Sequence, residues 1–370
     1  MMLHSLRAAL AVAFLSLFAF SPAQAARPVV EVAFVLDTTG SMGPLIEGAK
    51  RKIWSIARSI LDANPDAEVR MALVAYRDIG DEYVTKKFDL TTDIQGLYGE
   101  LLSLRAAGGG DWPESVNEAL DVAVTQLSWS QDRRTCRIIF LVGDAPPHMN
   151  YAQDRKYPVV LADARARGIL VNAVQAGDAR DTERVWREIA QRGNGEYLRI
   201  PQHGAVVVIE TPYDGDVSRL QIELNRTVLP YGKRAEQRAI DDKTARVTAA
   251  PAPAASDMAA FLFKKGGTRE VVTGRGDLVG DMLAGRTKLE AVPVEELPEA
   301  MRALSAADRR AYLEKQLAAR RALDERLDCL LKQRDAFLAA ERTKQPQAKD
   351  SFDRVVEETL KKQVTRATVN

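Results

Sequence analysis

Three short segments of this 370-residue chain carry hard oxygen donors at places where they can converge. The first is Asp37-Thr38-Thr39-Gly40-Ser41, directly after an apolar run. The second is Asp144, two residues beyond another apolar run and followed by Ala145-Pro146-Pro147-His148. Between them lies Gly110-Asp111-Trp112-Pro113-Glu114. Carboxylates and hydroxyls suit magnesium, calcium or manganese better than zinc or copper, and magnesium keeps several of its waters. A site made of a few such oxygens leaves a position for an outside ligand, and a partner's carboxylate replaces water there with charge. Each residue also has a plainer reading. Asp37 and Ser41 suit the cap of a helix beginning near Pro44. Glu114 suits the first turn of a helix, where the dipole favours an acid. Asp144 reads as a loop aspartate, Asp78 as a turn residue paired with Arg77, and His148 as a loop histidine with no role. Trp112 fits either a partner contact or a packed loop anchor.

The elements that must position these residues alternate between strand and helix patterns from Val29 to about Ile200. Val29–Leu36 is a continuous apolar run, as in a strand buried on both faces. Residues 44–61 repeat apolar side chains at helical spacing. Strands are expected at Val69–Tyr76, Tyr83–Phe88, Arg137–Val142, Ile169–Val174 and Glu196–Ile200, with helices near 93–104, 114–127, 154–166 and 182–191. Repeated strand–helix units predict a mainly parallel sheet with helices on both faces, and the short Asp78–Asp81 link makes the third strand an antiparallel edge. Ligands of such sheets collect at the carboxyl ends of the strands, where Asp37 and Asp144 stand.

The Asp37-x-Thr39-x-Ser41 pattern resembles the D-x-S/T-x-S motif of von Willebrand factor type A (VWA) domains, whose metal-ion-dependent adhesion site is known as MIDAS. Asp144 matches that site's distal aspartate. The resemblance covers residues 29–200 and implies a Rossmann-like, three-layer α/β domain. It implies direct metal binding by Thr39 and Ser41, and binding through water by Asp37 and Asp144. The middle loop departs from the pattern, because no threonine follows its glycines. Counting back from Glu118-Ala119-Leu120 puts Glu114 at the threonine's place, and the Asp111–Glu114 run is similar to integrin β-subunit domains. Glu114 is therefore the expected ligand, with Asp111 as its substitute or as a ligand of a neighbouring calcium. The expected cofactor is Mg2+, with Mn2+ or Ca2+ as alternatives.

The flanking segments bear on location and partners. Residues 1–25 have the layout of a cleaved signal peptide: a short basic start, the apolar run Ala8–Phe20, and Ala23-Gln24-Ala25 as the cleavage site. That predicts a periplasmic or secreted protein of the bacterial exported type, with no stable membrane insertion after cleavage. The chain has 52 Lys and Arg against 51 Asp and Glu, so no basic excess points to nucleic acid. Cys136 and Cys329 are read as two buried thiols in preference to a staple between modules. Residues 201–256 are expected to be a helical connector with a short strand at Val206–Glu210 and an Ala/Pro linker from Ala249 to Ser256. Residues 257–370 should be mostly helical, with a long helix from Ser305 to about Glu341 whose leucine stripe suggests a coiled coil and self-association, although arginines near 320 interrupt it. Together these features predict a non-enzymatic, metal-dependent adhesion or scaffold module that binds a protein partner through an exposed carboxylate. The alternatives are a metal-dependent hydrolase acting by phosphoryl or acyl transfer, with His148 as its base, and a scaffold whose metal only stabilises the loops.

Overall fold

The computed structural model describes residues 27–265, 270–344 and 350–369; the expected signal segment lies outside the described residues. The first half is a six-stranded sheet in the order β3-β2-β1-β4-β5-β6. Its strands are β1 (Val29–Asp37), β2 (Glu68–Tyr76), β3 (Thr85–Thr91), β4 (Cys136–Gly143), β5 (Ile169–Ala176) and β6 (Asn194–Ile200). Every neighbouring pair is parallel except β2 with β3, so the antiparallel edge falls where the short link requires it. β1 and β4 sit at the centre, and all of β4 is buried.

Alternation along β1 sends Val30, Val32 and Leu36 into one core and Ala33 and Val35 into the other. The second core is closed by α3 (Val116–Thr125), α4 (Tyr157–Ala166) and α5 (Arg180–Arg192). The first is closed by α1 (Gly43–Ala63) and α2 (Ile94–Ser103), and also by helices from much later in the chain. In chain order, α6 (Asp214–Asn225) and α7 (Arg234–Ala249) lead into α8 (Ala252–Lys264), and of these α7 and α8 reach the first core. The short α9 (Leu278–Leu283) and α10 (Glu299–Arg302), the long α11 (Ala306–Lys344) and the final α12 (Phe352–Val369) follow.

The second half is mostly helical, but it does not hang from the sheet as a separate module. Phe352, Val356, Leu360 and Val364 of α12 are each at most 1% exposed and belong to the same core as α1 and β1. Gln363 exchanges two amide hydrogen bonds with Asn172 of β5, at 3.0 and 2.8 Å, and both residues are buried. From α8, Phe261 packs beside Trp54 of α1 with ring centroids 5.7 Å apart.

Four expectations fail here. The Ala/Pro segment is no open linker, because α8 starts at Ala252 and buries Ala254, Ala255 and Ser256. Alanine is the strongest helix former, and Pro251 and Pro253 stand at and just inside the helix start, where a missing N–H costs nothing. Val206–Glu210 forms no strand. Of the arginines near 320 that interrupt the leucine stripe of α11, Arg320 is buried in this same chain and pairs with Asp277 at 2.6 Å; farther along the helix, buried Arg334 pairs with Asp214 and Asp257, both at 2.7 Å. The stripe of α11 is thus an intramolecular packing face, with Leu327 and Leu331 in a core shared with α6 and α8, not a coiled-coil seam. Cys136 is buried and Cys329 exposed, and both are free, so neither a staple nor a pair of buried thiols is found. Among the described residues, no helix is long and apolar enough to cross a membrane.

Candidate metal centre

The β1–α1 turn places the first motif at the carboxyl edge of the sheet. Asp37 ends β1 and is wholly buried, Thr39 is 2% exposed, and Ser41 reaches the surface in a single 3-10 turn before α1. Asp37 Oδ1 accepts from the Thr39 backbone N–H at 2.8 Å and from Thr39 Oγ1 at 2.6 Å. Thr39 Oγ1 and Ser41 Oγ are 3.5 Å apart. Neither Thr39 nor Met42 caps a helix through its side chain, so Asp37 and Ser41 are free of the capping role that the sequence also allowed.

Neighbouring loops are stitched to this turn by the backbone. Gly40 N donates to Gly108 O at 3.2 Å, and Ala107 N donates to Thr38 O at 3.1 Å. The guanidinium of Arg77, almost fully buried, donates to Thr38 O and Arg105 O. Gly109 (φ +82°) lies in the left-handed region, and a Cβ there would stand 3.2 Å from Glu114 Oε1 and 3.3 Å from Thr39 Cβ, so glycine lets the loop close over the site. Glu114 does not belong to a helix, because α3 begins at Val116. Its backbone instead pairs with the β4 loop: Glu114 N donates to Pro146 O at 2.9 Å, and His148 N donates to Glu114 O at 3.0 Å. Asp144 is 4% exposed; its Oδ2 accepts from Gln202 Nε2 at 2.7 Å and its carbonyl accepts from Thr182 Oγ1 at 2.9 Å.

Thr39, Ser41, Asp111, Glu114 and Asp144 line one open cleft of about 180 Å3, with Asp37 buried behind Thr39. The electrostatics of this arrangement are unbalanced. Asp37 Oδ2 and Glu114 Oε2 are buried oxygens with no hydrogen-bond partner. Burial, reinforced by the Asp144 carboxylate, pushes the Asp37 carboxyl up to about 7 against the opposing Thr39 hydrogen bonds. Burial, together with the charges of Asp37, Asp78, Asp81 and Asp144, pushes Glu114 up to about 9. The Tyr76 hydroxyl is also driven up, by burial and by the charges of Asp37, Asp144 and Glu114. Buried carboxylates without a compensating charge are costly, and a bound divalent cation removes that cost. The donor set is entirely oxygen, which fits a hard cation, and the residues present therefore suit one.

Two side chains, Asp78 and His148, behave differently from the plain expectations. Asp78 is not paired with Arg77; its Oδ1 accepts from Ser115 Oγ and its Oδ2 from Tyr151 Oη, both at 2.7 Å. His148 is buried rather than loose on a loop, stacked on Tyr151 at 4.0 Å and facing Asp78 and Asp111. Trp112 is 46% exposed, with its indole N–H donated to Asp181 Oδ2 at 2.7 Å. Sequence spacing gives no sign that Asp78 and His148, seventy residues apart, would meet. Asp111, on the exposed loop, shares the cleft with Glu114 but also stands beside His148.

A parallel α/β sheet with oxygen donors gathered at its carboxyl edge defines the class. Within that class, residues 31–212 match the family model of the von Willebrand factor A domain, and this part of the chain is such a domain. The match runs past Ile200, into the segment leading to α6. The von Willebrand factor A domain-containing protein 7 of Rattus norvegicus is 34% identical over 131 residues, covering 35% of this chain and 13% of that protein. A putative ariadne-like RING finger protein of Acanthamoeba polyphaga mimivirus is 32% identical over 124 residues, covering 32% of this chain and 11% of that one. The chain thus spans only a small part of the length of these relatives. Among solved structures, the SpRpn10 VWA domain aligns with 48% of this chain and 89% of its own, at 11% identity and a TM-score of 0.36. Domains of this family commonly act as protein-interaction modules and often hold a divalent metal.

Proposed function

We propose that this VWA domain is a metal-dependent protein-binding module whose cation is held by Thr39 and Ser41, with Asp37 and Asp144 behind them and Glu114 as the third-loop ligand. The observation that carries this reading is the pair of buried, partnerless oxygens, Asp37 Oδ2 and Glu114 Oε2, in a cleft lined with hydroxyls and carboxylates. A bound cation supplies an electrophilic position for a partner's carboxylate. The chain's own part is to hold the donors rigid: Gln202 fixes Asp144, Thr39 fixes Asp37, and the Gly40–Gly108 contact fixes the rim. Glu114 brings a negative charge where a neutral threonine would stand in most of the family, which lowers the cation's pull on an acidic partner. The module works outside the cytoplasm, periplasmic or secreted, as the pattern of residues 1–25 suggests.

The hydrolase alternative loses support from the placement of His148, whose imidazole faces Asp78 and Asp111, while glycines, carboxylates and Thr39 surround Ser41. Calorimetric titration with Mg2+ and with Mn2+ tests the proposal. The wild-type chain should bind one equivalent, and Ser41→Ala and Asp144→Ala should each lose it. A periplasmic extract passed over the immobilised protein should then yield a partner that chelator releases. Equal heats from wild type and both variants would sink the assignment.

A further inference from the structure

We propose that Asp78, Asp111 and His148 form a second cation site beside the first, built for a borderline transition-metal ion such as Zn2+ or Co2+ and not for Mg2+. One ligand atom from each of the three lies within 4.8 Å of the others. Asp78 Oδ2 is 3.3 Å and Asp111 Oδ2 3.5 Å from His148 Nε2. Two ligands of a tetrahedral zinc, each roughly 2.0–2.1 Å from the metal, stand roughly 3.3–3.4 Å apart, so these separations suit a shared ion.

An acidic pair alone would mean little; the imidazole between them is the decisive observation. His148 is 5% exposed, and its Nε2 is buried with no hydrogen-bond partner. Its other nitrogen, Nδ1, lies 2.9 Å from Asn150 Oδ1, an atom that can only accept. With the proton on Nδ1, Nε2 presents a lone pair toward Asp78 and Asp111, and a cation placed among the three atoms satisfies all of them with the geometry as it stands.

The surroundings resemble the supporting shell of a metal site. Asn150 orients the imidazole, and Ser115 and Tyr151 donate to Asp78 and fix its carboxylate. Tyr151 also stacks on the ring. Asp111 is 63% exposed on its side chain, which leaves the remaining positions open to water. The nitrogen ligand separates this site from its all-oxygen neighbour: imidazole with carboxylates favours zinc or cobalt, whereas magnesium, calcium and manganese prefer oxygen. The two sites share a loop. Asp111 and Glu114 are three residues apart, and His148 N donates to Glu114 O. An ion held by Asp111 and His148 therefore ties down the segment that presents Glu114 to the first site.

Cobalt is the probe, because its visible absorption reports nitrogen ligation and coordination number. With excess Mg2+ present, the full chain should bind one equivalent of Co2+, which Zn2+ displaces. His148→Gln should lose that spectrum, and Asp111→Asn, a change on an exposed side chain that leaves the fold intact, should weaken binding roughly a hundredfold. Asp37→Asn, aimed at the first site, should leave the Co2+ spectrum unchanged, so failure of one site is distinguishable from failure of the other. Unaltered Co2+ binding by Asp111→Asn and His148→Gln would overturn the proposal. So would carbon shifts of the His148 ring that mark an imidazolium and do not respond to Zn2+.

Discussion

Replacing Asp37 with asparagine should stabilise the metal-free protein and at the same time abolish its stabilisation by metal. The sign follows from the direction of the shift. A carboxyl whose folded-state value rises from 3.8 to about 7 binds its proton more tightly folded than unfolded. Stability is therefore whole below the unfolded value near 3.8, falls as the pH rises, and levels off above about 7. At 1.36 kcal/mol per pH unit, the folded chain carries a cost of about 4 kcal/mol from Asp37 ionisation near pH 8. Asparagine cannot ionise, and its carbonyl oxygen can still accept from Thr39 N and Thr39 Oγ1. The effect of those hydrogen bonds on the carboxylate is already contained in the shift to about 7. The net gain in chelator is about 4 kcal/mol near pH 8, shrinking to nothing near pH 4. For a chain of this length, that is a rise in Tm of about 5–7 °C. Thermal unfolding followed by circular dichroism, with chelator and with Mg2+, measures both effects. Wild type should gain from Mg2+ most strongly near pH 8, and the variant should not respond. A variant no more stable than wild type in chelator, or an advantage that persists unchanged at pH 4, would refute the claim that Asp37 lies buried without a compensating charge.

Two further perturbations test how the site is held and what completes the domain. Gly109→Ala puts a Cβ 3.2 Å from Glu114 Oε1 at a φ of +82°, and should cost about 1–2 kcal/mol while weakening Mg2+ binding about tenfold, as read by calorimetry. Truncation after Lys344 removes α12 and uncovers the core face that Phe352, Val356, Leu360 and Val364 fill; at about 1.5–3 kcal/mol per side chain the loss is about 6–12 kcal/mol. The truncated chain should be aggregated or unfolded by size exclusion and circular dichroism, and a soluble, cooperatively folding product would show that the helix is dispensable.

What the sequence discloses depends on how local the determining physics is. β1 and β4 are legible because a strand buried on both faces must be apolar throughout, and Asp37 and Asp144 stand out where those runs end. The antiparallel β3 follows from a link too short for a crossover. α12 is also legible as an amphipathic helix, yet nothing in its pattern says that the face it fills belongs to α1 and β1, some three hundred residues earlier. The same limit hides the buried arginines of α11. In a sequence, Arg320 reads as a break in a leucine stripe and Arg334 carries no mark at all, because only tertiary structure supplies Asp277, Asp214 and Asp257 to pair with them. His148 is the sharpest case. A histidine after two prolines reads as loop, and its burial depends on Tyr151 stacking and on Asp78 arriving from the end of β2. Asp78 and His148 then share one cause: the β2 and β4 edges are brought together by β1 between them, so the strand order that assembles the oxygen site also assembles the nitrogen-bearing cluster beside it. A sequence motif marks the first because its key donors are two residues apart in one turn. The second has no such marker, because the topology alone brings its members into contact.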